Sequence, residues 1–180
     1  IDIAATSADR KALLHKTYHF QCRCDLCELE SAGTPAKPIP DKVLTGKIEG
    51  VDMTTAEEKL RVAESHKRMA MEHEDIGAEL RCIKMAINLE KSFLHPLNLT
   101  LFETMRWAFP LAIAVGDFKT AVECHDHVLR CLRHYYQPNH PATAIQLSIG
   151  GDMHSEIAAR TGTSGMTKIA KTHEEKAATM

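Results

Sequence analysis

Helix-forming sequence fills the chain from Thr54 to about Arg160, and it is broken at four places: Glu74-Asp75, His95-Pro96, Gly116 and Pro138. Each break carries a turn or cap residue, so the stretch reads as successive helices joined by short connections. Thr55 can cap the first, with Glu58 three residues later completing a capping-box pattern. That helix extends to about Glu72, with Leu60, Ala63 and Met69 to Met71 as a loose apolar stripe. The second carries Leu80, Ile83, Ile87 and Leu89 at helical spacing and ends near His95-Pro96. A third starts at Asn98 or Thr100, contains Trp107 and Phe109, and stops at Gly116. Pro110 lies inside it and removes one backbone hydrogen bond. A fourth runs from Asp117 or Phe118 to about Tyr136, and a fifth from about Ala142 to Arg160, weakened by Gly150-Gly151. Residues 165–180 are weakly amphipathic.

The breaks recur. His95-Pro96 and His140-Pro141 lie 45 residues apart, and Gly116 precedes Ala121 as Gly165 precedes Ala170. The period exceeds the ~34 residues of tetratricopeptide repeats, and no strict signature is met. The expected fold is mainly α: irregular antiparallel helix hairpins of tetratricopeptide type over residues 54–180.

Ahead of them the chain changes character. Residues 7–17 suit a helix with Ser7 as N-cap, Asp9 in the first turn and Lys11 and Lys16 towards the end. A short helix can follow from Asp25 to Glu30. Residues 32–40 hold three prolines and a glycine, and with 41–53 they read as a linker. Between these lies the densest chemistry, Tyr18-His-Phe-Gln-Cys-Arg-Cys-Asp-Leu-Cys27. Thiolates at C-x-C-x2-C spacing can converge on one Zn2+, but a tetrahedral structural site needs a fourth ligand, and no fourth cysteine is near. Metal-free thiols, or a redox pair at Cys24 and Cys27, are the alternatives. A thioredoxin-like pair needs a βαβ setting that this helical sequence lacks, which leaves zinc and metal-free thiols both open on the residues alone. If the segment is extended, Tyr18, Phe20 and Cys22 share a face and His19 points away. On local pattern alone the two aromatics read as core residues of a short strand.

Other residues carry less. Cys82, Cys124 and Cys131 read as buried free thiols in helices. The eleven histidines read as surface or capping residues, with His95 and His140 forming turns. Trp107 and Phe109 read as packing between helices. Net charge is −2, from 22 basic and 24 acidic residues, which gives no global field for nucleic acid. No apolar run approaches the ~18–20 residues that span a bilayer. Six cysteines in a helical chain of 180 residues do not suggest a secreted disulfide scaffold, so cytosol or nucleus is expected.

The run from Ile1-Asp2-Ile3 through Asp9-Arg10-Lys11 and Leu14 to Tyr18–Cys27 resembles the end of the SET domain and the post-SET region of the SET-and-MYND-domain (SMYD) lysine methyltransferases. The downstream helices are similar to that family's tetratricopeptide-like C-terminal domain. The resemblance implies that residues 1–31 end a SET domain and form a post-SET segment, with Cys22, Cys24 and Cys27 binding Zn2+ beside a fourth cysteine from the SET core. It implies that Tyr18 serves catalysis by lining the lysine channel and that Phe20 packs on the adenine of S-adenosylmethionine. It further implies a lysine-bearing protein substrate and a chaperone-tail peptide as partner of the helical domain, while charge and hydropathy argue against specific nucleic acid or membrane binding. The 180 residues contain no MYND finger, no SET strands and no Asn-His-Ser-Cys-like motif. They therefore read as the C-terminal part of a longer protein, not active alone. A helical-repeat adaptor with a small zinc knuckle is the alternative.

Overall fold

The computed structural model describes residues 6–23, 27–28, 45–136 and 139–161. Six helices run through them: α1 (Ser7–Tyr18), α2 (Met53–Glu72), α3 (Ile76–Lys91), α4 (Leu99–Val115), α5 (Phe118–Tyr135) and α6 (Pro141–Thr161). No strand occurs among the described residues, so the mainly α expectation holds. Residues 32–40, Gly165 and Ala170 lie outside the described residues, as does most of the helix expected from Asp25 to Glu30.

The helices begin where short polar side chains reach back to free backbone N–H groups. Asp52 accepts from Thr55 N at 2.9 Å, Asp75 from Ala78 N at 2.7 Å, and Asn98 from Thr100 N at 2.8 Å. Each satisfies a donor that the first turn would otherwise leave unpaired. Two expected caps shift. Thr55 lies inside α2, because Asp52 is ideally spaced to accept its N–H, and α1 is capped by Thr6 rather than Ser7. Gly116 ends α4 at φ +75°, a conformation that costs a residue with a Cβ about 1 kcal/mol or more.

Packing follows sequence order: α2 on α3, α3 on α4, α4 on α5 and α5 on α6. Antiparallel neighbours follow from the short connections, such as the three residues between α2 and α3. In α2 the buried residues are Ala56, Ala63 and Ala70, so small side chains set the contact with α3. Met69 and Met71 face solvent instead of completing the expected stripe. Leu80, Ile83 and Ile87 are buried as their spacing requires.

The corner between α3 and α4 is tied from three sides. Phe93 and Leu94 are buried, and Tyr135 Oη donates to Leu97 O at 2.9 Å while its ring meets Phe102 edge-on. Asn98 Nδ2 donates to Gly46 O at 2.9 Å, and Ile48 N donates to Phe93 O at 2.8 Å. These bonds hold residues 45–51, part of the expected linker, against the array. The two His-Pro turns share one geometry. The ring Nδ1 of His95 accepts from Leu97 N at 3.1 Å, and that of His140 from Ala142 N at 3.2 Å. The 45-residue recurrence is thus structural as well as textual.

Gly150 and Gly151 behave oppositely. A Cβ at Gly150 would lie 2.4 Å from His125 Nε2, whereas one at Gly151 meets nothing within 4 Å. The His125 ring cannot easily yield, because it is buried and donates from Nε2 to Gln146 O at 3.0 Å. Gly150→Ala is expected to cost about 1–3 kcal/mol by overpacking. Gly151→Ala is expected to stabilise by about 0.5–1 kcal/mol through helix propensity. Urea unfolding of the two variants checks this, and equal effects would deny that α5 and α6 meet through Gly150.

Candidate functional site

The cysteine segment is built on α1. Helix α1 ends at Tyr18, and His19 adopts the left-handed conformation, φ +51° and ψ +34°, donating its backbone N–H to His15 O. This turn takes Gln21, Cys22 and Arg23 alongside the helical face of Lys11, Ala12 and His15, and the two sides enclose an open cleft of about 570 Å³. Segment 18–22 is therefore not a strand. Tyr18 is 69% exposed and Phe20 52% exposed, so neither is the core residue that a short strand would have made it. The His19 ring packs edge-on to His15, with centroids 6.5 Å apart.

Of the three clustered cysteines, Cys22 is half-buried and Cys27 is buried. Lys11 Nζ donates to Cys27 O at 3.5 Å, a long bond that ties the second cysteine back to α1. Cys24 lies outside the described residues. Among the described residues, no three His, Cys, Asp or Glu side chains gather closely enough to hold a metal. Two soft sulfur donors fit structural zinc chemically, and a full set requires Cys24 and a fourth ligand.

Of the remaining cysteines, Cys82 is half-buried rather than buried as expected. Cys124 and Cys131 are buried, and burial pushes the Cys124 thiol up to about 12 and raises that of Cys131. Neither is a thiolate at neutral pH, so neither is a ready nucleophile. Two histidines depart from the surface expectation. His125 and His127 are each 4% exposed, because α5 is covered on one side by α4 and on another by α6. Burial pulls His125 down, but hydrogen bonding to Asp126 and to the Gln146 carbonyl outweighs it and raises the pKa. For His127 burial prevails, helped by the Arg130 and Lys91 charges, and lowers it to about 4.

A second set of polar groups escaped sequence reasoning. Glu90 is fully buried at the end of α3, and Lys67 from α2 meets its Oε1 at 2.9 Å. Burial raises the Glu90 carboxyl above its ordinary range despite the Lys67 ammonium. Lys67 also lines a groove with Leu99, Thr100, Glu103, Thr104 and Trp107 of α4. A glutamate inside an apolar stripe at 80, 83, 87 and 90 was the available signal.

No protein-family model matches the chain, and no curated protein matches it. Among the described residues no helix is long and apolar enough to cross a membrane.

Proposed function

We propose that this chain supplies the post-SET segment and the helical wall of a SMYD-type, S-adenosylmethionine-dependent protein lysine methyltransferase. The observation that carries the reading is the Tyr18-x-Phe20-x-Cys22-x-Cys24-x2-Cys27 sequence followed by a helical array. The exposure of Tyr18 and Phe20 supports it, since two aromatic surfaces beside a cysteine cluster are suited to closing over another body.

In this reading Cys22, Cys24 and Cys27 hold zinc with a fourth thiolate, which fixes the turn after α1. Phe20 then packs on the cofactor's adenine and Tyr18 lines the channel of the target lysine. Methyl transfer to a neutral lysine amine is an in-line displacement at a sulfonium carbon. An aromatic face and a phenol oxygen both favour the cationic sulfonium, and a narrow channel aligns the amine. The helical array forms one wall of the substrate cleft and receives protein partners. Without a SET core the chain binds no cofactor and transfers no methyl group.

The second reading is an adaptor, a helical array with a zinc knuckle. It is favoured by the open groove between α2 and α4, which needs no catalytic domain. The two separate on zinc content and S-adenosylmethionine binding, measured for the chain alone and for a longer protein in which a SET core is joined ahead of Ile1. The methyltransferase reading requires cofactor binding only in the longer protein, reduced at least about fivefold by Phe20→Ala, the loss expected for a base–aromatic contact of about 1 kcal/mol or more. Tight zinc binding by the chain alone, with no cofactor bound by the longer protein, would leave the adaptor.

A further inference from the structure

The groove between α2 and α4 has a volume of about 470 Å³. Its α4 wall places Thr100, Glu103, Thr104 and Trp107 on one helical face, three and four residues apart. The charges along it are unequally available. Lys67, whose side chain is 18% exposed, is held by the buried Glu90 carboxylate at 2.9 Å. Its charge is therefore already compensated.

The acidic side is freer. Glu103 is 62% exposed and meets Arg106 at 3.5 Å, a solvent-screened pair that a competing cation can displace. One turn further on, the Trp107 indole N–H donates to Glu79 Oε1 at 2.8 Å. That bond fixes the ring and directs a carboxylate towards its polar edge, which leaves the ring face electron-rich. Trp107 was expected to pack between helices. Half-buried against the core, it does so while also lining the groove.

We propose that the α2–α4 groove binds a basic segment of a partner protein, seating a lysine or arginine side chain between the Trp107 ring and the Glu103 carboxylate. An aromatic face attracts a cation within about 6 Å, and an adjacent carboxylate completes the neutralisation. An acidic peptide finds only one cation among the lining residues, and Glu90 occupies it. The inference goes beyond the methyltransferase reading and does not depend on it, since neither zinc nor cofactor takes part.

Trp107 is the only tryptophan in the chain, so its fluorescence reports on the groove directly. The full chain is titrated with N-acetylated, C-amidated octalysine and, separately, with octaglutamate. Octalysine is expected to shift the emission saturably, more weakly as salt is raised, and octaglutamate to leave it unchanged. Glu103→Gln should weaken octalysine binding by about two- to fivefold. Glu156→Gln, on α6, should leave it unchanged. The proposal is overturned if octalysine does not move the Trp107 emission, if octaglutamate binds as tightly, or if the two glutamate variants weaken binding equally. Glu103 is exposed, so its substitution does not endanger the fold. None of these results bears on cofactor binding, so failure here leaves the methyltransferase reading intact.

Discussion

Replacing Lys67 by methionine is expected to destabilise the folded chain by about 3–5 kcal/mol near neutral pH. The substitution keeps the aliphatic stem but leaves the Glu90 carboxylate buried with no counter-charge. Glu90 has no exposed surface, and among the described residues its Oε2 lacks a hydrogen-bond partner. The loss should depend on pH with a defined sign. Because the folded-state pKa of Glu90 is raised above 4.5, the native form binds the proton more readily than the unfolded chain. Stability from this group is therefore present at low pH and is lost as pH rises through the folded value. Without Lys67 that value rises further, so the variant should lie closer to wild type at about pH 5 than near neutrality. Adding Glu90→Gln to Lys67→Met should recover most of the loss. Urea midpoints at the two pH values decide the matter. A loss under about 1 kcal/mol, the range of exposed pairs, would mean that water reaches Glu90.

Acid should weaken the array through His127. Its pKa is lowered from 6.5 to about 4, so the unfolded chain takes up the proton first as pH falls. The stability present above 6.5 is lost progressively down to about 4, and the whole step amounts to about 3 kcal/mol. His125 has the opposite sign: its raised pKa adds stability on acidification. Asp117 acts lower still. The Lys84 ammonium, 2.8 Å away, and Thr120 hold its carboxyl at about 2, so its contribution fades only below 3.8. The interval between 6.5 and 4 therefore belongs to His127 among the depressed groups. His127→Phe, which keeps a ring but cannot titrate, should flatten the fall in stability across that interval. An unchanged slope would sink the assignment.

The sequence was most informative where local chemistry acts alone. Asp75, Asn98, Gly116 and Pro141 mark helix ends by rules that need only nearby backbone, and the structure places the ends there. Leu80, Ile83 and Ile87 point inward because one stripe of α3 is covered. It was least informative where two helices decide together. His125 and His127 are polar residues two apart, yet both are buried, since a helix covered by two neighbours hides more than one stripe. Gly150 reads as a helix breaker until the His125 ring is found beside it. For the cysteine segment, the pattern named the candidate ligands but implied an extended course for Tyr18 to Cys22. The left-handed turn at His19 rests on a backbone conformation that the pattern does not encode.

Packing between sequence neighbours carries a kinetic consequence. When, among the described residues, every extensive interface joins elements adjacent along the chain, few long loops must close before contacts form. Such topologies fold in about microseconds to milliseconds. Each hairpin can also gain or lose structure with little reference to distant ones, so opening should begin at α6, whose one extensive interface among the described residues is the smallest in the array, and travel inward. Hydrogen exchange would then rank the helices by position, with α3 and α4 the last to release their amides.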